Sequence, residues 1–246
     1  MLLTLAIVSV GSRVNPGTAP LSQGDVDTTI KNAMASATPK PGIGIQAYDK
    51  VKDSIVLVKS RMPGETDLQP RGAGVIFDGS GRVLTSLHLV LGAQQIRVVF
   101  WNGVEGSARI ADPQPEFDVA VLEVSLLDSG MPLKPAVLAT AGKLKIGDEA
   151  IVVGSPLGIR SSLTMGVVSA LGTHFFVPGQ SREIGGLIQI NAPLSAGSAG
   201  GPLIHRNGEV MGVVAGVGYS AGSFVADVGF VVPIDSAASA AGNNPF

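Results

Sequence analysis

Short β-prone segments separated by turn signals repeat along this chain from Tyr48 to Pro233. Turn-forming sequences such as Asn102-Gly103 and Asn207-Gly208 stand between these segments. No stretch of helical periodicity alternates with them, so a parallel sheet built from βαβ units is disfavoured. About a dozen short strands in one chain are typical of sandwiches and barrels. The strands divide around Leu126–Ile146 into two groups, which predicts an all-β fold of two packed six-stranded antiparallel β-barrels.

The predicted strands form two sets of six. The first set comprises Ser54–Ser60, Gly72–Phe77, Arg82–Thr85, Ile96–Phe100, Ser107–Ala111 and Val119–Val124. The second set comprises Glu149–Val153, Leu163–Leu171, Gly186–Ile190, Pro202–His205, Glu209–Val217 and Gly229–Val232. We therefore expect barrels at about residues 47–128 and 145–234, within a domain spanning 47–235.

The two ends of the chain differ from this middle region. Met1–Val10 is an apolar run, shorter than the roughly 20 residues of a spanning helix, without a basic segment before it or a clear cleavage site after it. We interpret residues 1–24 as an anchor or signal remnant followed by a linker; a pairing strand or a disordered tail is the alternative. A short amphipathic helix is expected over Asp25–Ala37, within a helix and connector at 25–46. Residues 236–246 are expected to form a C-terminal linker.

The composition argues against several classes of function. The 246 residues include 17 basic and 19 acidic side chains, for a net charge of −2. That balance argues against a nucleic-acid partner, which would require a basic surface. The absence of cysteine excludes disulfide scaffolds, thiolate zinc sites and cysteine nucleophiles. Three scattered histidines give no metal-ligand spacing, and no phosphate-binding loop is present, so we expect neither a metal nor a cofactor.

Three separate segments contain residues that are able to support catalysis. His88 follows a predicted strand, and Asp118 stands at the entrance of another apolar strand. A buried imidazole needs an acceptor for its Nδ1–H, and Asp118 is able to supply one. Each residue alone is more simply explained as a satisfied core or turn residue. The third segment, Asn191–Leu203, is a glycine-dense turn before a strand, which can direct several backbone N–H groups to one point, as an oxyanion hole requires.

The chain order of histidine, aspartate and glycine-rich loop is that of the chymotrypsin-like serine proteases. The segments that resemble the HtrA/Deg trypsin-like proteases are Gly72–Ile76, Leu84–Val90, Phe117–Leu122, Gly154–Gly158, Thr164–Ala170 and Gly229–Ile234. The resemblance runs in order from about Ala47 to Ile234 with no large gap. It implies that His88 is the general base and that Asp118 orients it.

The same resemblance places the nucleophile at Ala199, which has no hydroxyl. The family's Gly-Asn-Ser-Gly-Gly motif falls on Gly197–Gly201, which here reads GSAGG. Loss of the nucleophile costs on the order of 10⁶ in turnover, and neither Ser198 nor Ser195 is expected to replace it. The chain is therefore expected to be an inactive form of a serine endopeptidase of protein quality control. An engineered Ser-to-Ala exchange and a natural pseudoprotease that binds peptides both explain the alanine, and the otherwise intact constellation favours the exchange.

The resemblance also implies where a substrate binds. The oxyanion hole is assigned to Gly197, Ser198 and Ala199. The S1 pocket, which would take the residue before the cleaved bond, is expected to be lined by Leu194, Gly212, Val213, Val214, Ala215 and Gly216. No acidic residue is present among these, which predicts small to medium aliphatic residues before the cleaved bond. An extended substrate is expected to add a strand beside Val213–Gly216.

Regulation and partners are likewise expectations drawn from the family. Thr173–Gly185 occupies the position of a regulatory loop, in which Phe175 and Phe176 either contact a neighbouring subunit or ligand or pack locally. Unfolded polypeptides or peptides are the expected partners, with a homotrimer formed through the amino-terminal segment. The family usually carries a PDZ domain after the protease domain, and none is expected within residues 1–246. The expected location is the bacterial periplasm or another extracytoplasmic side of a membrane, with an anchor upstream.

Overall fold

Two closed antiparallel barrels of six strands each form the body of the chain in the computed structural model. The structure describes residues 22–36, 42–125, 132–158, 161–176, 183–220 and 223–240. The apolar run Met1–Val10 and most of the predicted C-terminal linker lie outside the described residues. The predicted all-β class and the two six-stranded barrels are confirmed.

Each predicted strand overlaps one observed strand. The first barrel contains β1 (Ile55–Arg61), β2 (Gln69–Ile76), β3 (Val83–Ser86), β4 (Gln95–Val99), β5 (Glu105–Gln114) and β6 (Val119–Ser125). The second contains β7 (Glu149–Gly154), β8 (Ser162–Phe176), β9 (Glu183–Asn191), β10 (Pro202–Ile204), β11 (Val210–Ser220) and β12 (Ser223–Pro233). The order around the barrels is β1-β2-β3-β6-β5-β4 and β7-β8-β9-β12-β11-β10, so the same connectivity occurs twice.

Three apolar clusters hold the barrels together. One fills the first barrel and includes Phe100 and Leu122, and another fills the second barrel and includes Ile190 and Leu203. The third cluster combines residues of both barrels, such as Leu84 of β3 and Ile151 of β7. Burial of these side chains, each worth about 1.5–3 kcal/mol, fixes the two barrels against each other.

Two helices precede the first barrel where one was predicted. Helix α1 (Gln23–Ser36) corresponds to the predicted amphipathic helix. Helix α2 (Ile43–Val51) begins within the segment expected to be a connector and was not predicted. Gly44, Ala47 and Val51 share one face and are buried, and a side chain on Gly44 would come within 2.7 Å of the Met165 sulfur on β8. The lack of a side chain on Gly44 allows this close packing.

A third helix, α3 (Ile234–Ala240), follows the last strand, where a linker was expected from residue 236. Ile234, Ala237 and Ala238 are buried, and the Asp235 carboxylate accepts a hydrogen bond from the backbone N–H of Ala141. The small side chains that indicated a linker are therefore the packed face of a helix. No helix within the described ranges is long and apolar enough to cross a bilayer.

The β2–β3 turn is organised by one carboxylate. Asp78 accepts hydrogen bonds from the Ser80 backbone and hydroxyl and from the Arg82 backbone and guanidinium. Partial burial alone would raise the pKa of Asp78, but the hydrogen bonds from Ser80 and Arg82 outweigh it, so that its pKa lies below the ordinary value.

Candidate active site

His88 and Asp118 meet at the edge of the first barrel. His88 lies in the 3₁₀ turn Leu87–Leu89 that follows β3. Its backbone N–H donates to Asp118 Oδ1 at 2.9 Å, and its Nδ1 lies 2.5 Å from Asp118 Oδ2. The Asp118 side chain is 1% exposed, whereas that of His88 is 30% exposed. This arrangement fixes the ring and leaves the imidazole partly accessible, as a general base requires.

The backbone around Asp118 is held in an uncommon conformation. Asp118 ends a 3₁₀ turn with φ of 54° and ψ of 38°, in the left-handed region. Its carbonyl oxygen accepts the Leu87 N–H at 2.9 Å. Aspartate tolerates this region better than most residues. The strain of order 1–3 kcal/mol is sustained by the contacts to the histidine turn and aims both carboxylate oxygens at His88.

The glycine-rich loop brings Ala199 to the junction between the barrels. Ala199 is 4% exposed and packs with apolar residues of the first barrel. Its carbonyl oxygen accepts the Ala73 N–H of β2 at 2.9 Å. A side chain on Gly200, whose φ is +76°, would clash with the Ala73 carbonyl and approach Leu89 to 3.1 Å. The loop thus lies against the turn that carries His88, as the sequence order predicted.

The backbone N–H groups of Ser198 and Ala199 are satisfied within the loop itself. Ala196–Ser198 form a 3₁₀ turn. The Ser198 N–H donates to the Ser195 carbonyl at 2.9 Å, and the Ala199 N–H donates to the Ala196 carbonyl at 3.2 Å. The Ala196 carbonyl oxygen therefore accepts a hydrogen bond from the Ala199 N–H, which the predicted oxyanion hole needs for the substrate. In this conformation the hole assigned to Gly197, Ser198 and Ala199 is not assembled.

The two serines beside Ala199 stabilise the turn. Ser195 and Ser198 form a reciprocal capping box, in which each side chain accepts the other residue's backbone N–H. The Ser198 hydroxyl is 3.3 Å from the Ser195 nitrogen. Both hydroxyls therefore have a structural partner in the turn, in keeping with the expectation that neither replaces the missing nucleophile.

The predicted substrate-binding strand borders this junction. Val213, Val214 and Ala215 are buried, and the Val214 carbonyl accepts the Ser86 hydroxyl and the Gly200 N–H, both at 2.8 Å. An added side chain at Gly212 would meet the Val232 carbonyl at 2.5 Å. Val214 packs inside the second barrel, whereas Val213 and Ala215 pack between the two barrels. The backbone of this strand is the part that reaches the loop.

Phe175 and Phe176 have different environments. Phe175 is 4% exposed and stacks on Phe230 with the ring centroids 4.8 Å apart. A side chain on Gly216 would come within 2.9 Å of the Phe175 ring. Phe176 is 63% exposed. Phe175 therefore packs locally, against Gly216 of the strand predicted to bind substrate. Residues 177–182 of the predicted regulatory loop lie outside the described residues.

A pocket of about 310 Å³ lies beside the loop in the second barrel. Leu194 is the predicted S1 residue that lines it, together with the turn residues Ser195 and Ser198. Asp227 also lines it and was not identified from the sequence. Asp227 has φ of +62°, and it reaches the pocket because β9 and β12 pair Asn191 with Val228. That register is a tertiary feature without a local sequence signal.

Comparisons with known proteins agree with this geometry. The family model described as a trypsin-like peptidase domain matches residues 72–213. HhoA of Synechocystis sp., named as a serine protease, is 33% identical over 71% of this chain and 43% of its own length. A DegP-like protein of Chlamydia trachomatis, named as a periplasmic serine endoprotease, is 28% identical over 91% of this chain and 44% of its own length. The chain thus spans less than half of these two relatives.

A solved structure gives the same result for the fold. The HtrA-type protease AlgW, determined with a tripeptide, aligns with a TM-score of 0.67 and 27% identity. The alignment covers 80% of this chain and 61% of that chain.

Proposed function

The chain belongs to the trypsin-like peptidases, in the HtrA/Deg group, and on that premise we propose that it is a serine endopeptidase domain in which Ala199 has removed the nucleophile. The observation that carries this proposal is the His88–Asp118 pair at a barrel junction, against which the loop with Ala199 packs. Its expected role is quality control of unfolded or damaged polypeptides, because that is the role of the group it resembles.

With serine at position 199, each residue has a defined task. His88 takes the hydroxyl proton as the oxygen attacks the substrate carbonyl, and later gives it to the leaving amine. Asp118 holds the imidazole orientation and stabilises the imidazolium that forms. The N–H groups of Gly197 and Ala199 stabilise the negative charge on the carbonyl oxygen. With alanine there is no attacking oxygen, so the same junction binds a peptide without cleaving it.

Activity also requires a change in the loop. The Ala196 carbonyl occupies the Ala199 N–H, so the Ala196–Gly197 peptide has to turn over before both donors face a substrate. In this change the hydrogen bond from the Ala199 N–H to the Ala196 carbonyl is replaced by one to the substrate, at a free-energy cost of only about 1 kcal/mol. A bound peptide is able to supply this amount, because the pairing of β11 with β10 and with the loop ends at Val214 and leaves the later residues of β11 available for strand addition.

A natural pseudoprotease is the second candidate function. Ala199 and the unassembled hole both favour a protein that holds peptides as a binding module. The two candidates differ in one property, which is whether the junction activates a hydroxyl placed at position 199.

The test is labelling of the Ala199→Ser variant with a fluorophosphonate probe, in the presence and absence of an unfolded polypeptide. The Ala199→Ser/His88→Ala double variant is the control. We expect labelling that requires His88 and is at least about 1,000-fold slower without it. An Ala199→Ser variant that stays unlabelled in both conditions would refute the peptidase proposal and favour the binding module.

Assembly and location are parts of the same proposal. The resemblance to this group supports a homotrimer formed through the amino-terminal segment. Light scattering of the chain with and without residues 1–36 measures the oligomeric state of each form. The periplasmic name of the Chlamydia relative supports an extracytoplasmic location, and an upstream membrane anchor remains a prediction.

A further inference from the structure

One buried serine beside the loop that carries Ala199 has a hydroxyl that this conformation does not use. Ser155 directly follows β7 and is 2% exposed, and its Oγ has no hydrogen-bond partner among the described residues. By contrast, the buried Ser60 hydroxyl donates to the Leu89 carbonyl at 2.8 Å. A buried hydroxyl without a partner has lost its hydration and gained no hydrogen bond in return. The Ser155 hydroxyl therefore favours a conformation of its surroundings that offers it an acceptor.

Ser155 packs directly against the part of the loop that has to move. Its backbone N–H donates to the Gly197 carbonyl at 2.8 Å. A side chain on Gly197 would come within 2.6 Å of the Ser155 carbonyl oxygen. One on Gly154 would come within 2.8 Å of the Ser198 Cα. The two backbones are thus in close contact, and any reorientation of the Ala196–Gly197 peptide takes place against Ser155.

That reorientation leaves one carbonyl oxygen in need of a donor. The Ala196 carbonyl accepts the Ala199 N–H at 3.2 Å in the present turn, and it loses this hydrogen bond when the peptide turns over. Ala196 directly precedes Gly197, whose carbonyl already contacts Ser155. A serine hydroxyl rotates about its C–O bond and is able to donate in a new direction. The released acceptor and the unused donor therefore lie on adjacent segments of the chain.

We propose that Ser155 is a positioning residue for the oxyanion hole. Its hydroxyl donates to the Ala196 carbonyl once the Ala196–Gly197 peptide has turned, and this hydrogen bond keeps the N–H groups of Gly197 and Ala199 directed at the substrate. The inference rests on the proposed function, because it concerns the assembly of the same site. One hydrogen bond raises the ratio of assembled to unassembled loop about fivefold, which corresponds to about 1 kcal/mol.

The experiment compares Ala199→Ser with Ala199→Ser/Ser155→Ala. Fluorophosphonate labelling is followed at a series of probe concentrations, which separates the limiting rate from the half-saturating concentration. We expect the limiting rate to be about fivefold lower without the Ser155 hydroxyl. The half-saturating concentration is expected to stay the same, because only the charge that develops on the phosphoryl oxygen during the reaction uses the oxyanion hole.

Urea unfolding of the same proteins distinguishes this role from an ordinary structural one. Because the Ser155 hydroxyl has no partner in the present conformation, Ser155→Ala is expected to leave the urea midpoint unchanged or to raise it. Ser60→Ala, which removes a buried hydroxyl that has a partner, is the matched comparison and is expected to lower the midpoint.

Two results would overturn the role of Ser155. One is a limiting rate that changes by less than about twofold when the hydroxyl is removed. The other is a urea midpoint that falls with Ser155→Ala as it does with Ser60→Ala. In both cases the labelling of Ala199→Ser still supports the peptidase, so the positioning role alone is contradicted. If Ala199→Ser itself stays unlabelled, the proposed function fails and the role of Ser155 fails with it.

Discussion

The junction between the barrels depends on a glycine at position 200, and a matched pair of substitutions measures how much. Gly200 and Gly92 have nearly the same left-handed backbone, with φ of +76° and +75°. A side chain on Gly92 would meet no atom within 4 Å, whereas one on Gly200 would clash with the Ala73 carbonyl and the Thr85 hydroxyl. Gly92→Ala therefore isolates the backbone strain, and Gly200→Ala adds the steric clash to it.

The expected costs follow from these two contributions. Alanine in the left-handed region costs about 1 kcal/mol, which is the expected destabilisation of Gly92→Ala. Overpacking adds about 1–3 kcal/mol, so Gly200→Ala is expected to lower the free energy of unfolding by roughly 3 kcal/mol. Urea unfolding followed by circular dichroism measures both values. A difference below about 0.5 kcal/mol between the variants would refute the close approach of the loop to β2 and β3.

Three further predictions concern single side chains. Asp78→Asn is expected to lower the free energy of unfolding at pH 7. Because the folded-state pKa of Asp78 is depressed, the difference in stability between the variant and the unmodified chain should disappear as the pH falls below about 4. Urea unfolding measured at a series of pH values detects this change. Phe175→Ala, which removes the ring stacked on Phe230, is expected to cost about 3–5 kcal/mol, whereas Phe176→Ala should stay within about 0.5 kcal/mol; equal losses would contradict the burial pattern. In a variant with serine at position 199, Asp118→Asn is expected to slow fluorophosphonate labelling by about 10⁴, and an unchanged rate would contradict its orienting role.

The strands were predictable because their information is local. Short runs of β-prone residues and turns such as Asn207-Gly208 located all twelve strands of the described residues, with ends displaced by a few residues. Helices α2 and α3 were missed because their buried faces consist of glycine, alanine and a few larger residues. Such residues have little apolar character of their own, and only the partners packed on them make the face a core surface.

The candidate site was predictable in its composition and less so in its conformation. His88, Asp118 and the loop were found by their order and neighbouring motifs, and the His88–Asp118 contact is present. The 3₁₀ turn that occupies the Ala199 N–H involves a balance of about 1 kcal/mol between two hydrogen-bonding arrangements, which a sequence motif does not encode. Asp227 was missed because its place at the pocket depends on the pairing of β9 with β12.

The most direct test of the account is whether this scaffold cleaves an unfolded protein once a hydroxyl is present at position 199. Casein fragments are measured by mass spectrometry after incubation with the unmodified chain, with Ala199→Ser, and with Ala199→Ser/His88→Ala. Fragments are expected with Ala199→Ser alone. Intact casein with all three proteins, or equal fragmentation by the unmodified chain, would contradict it.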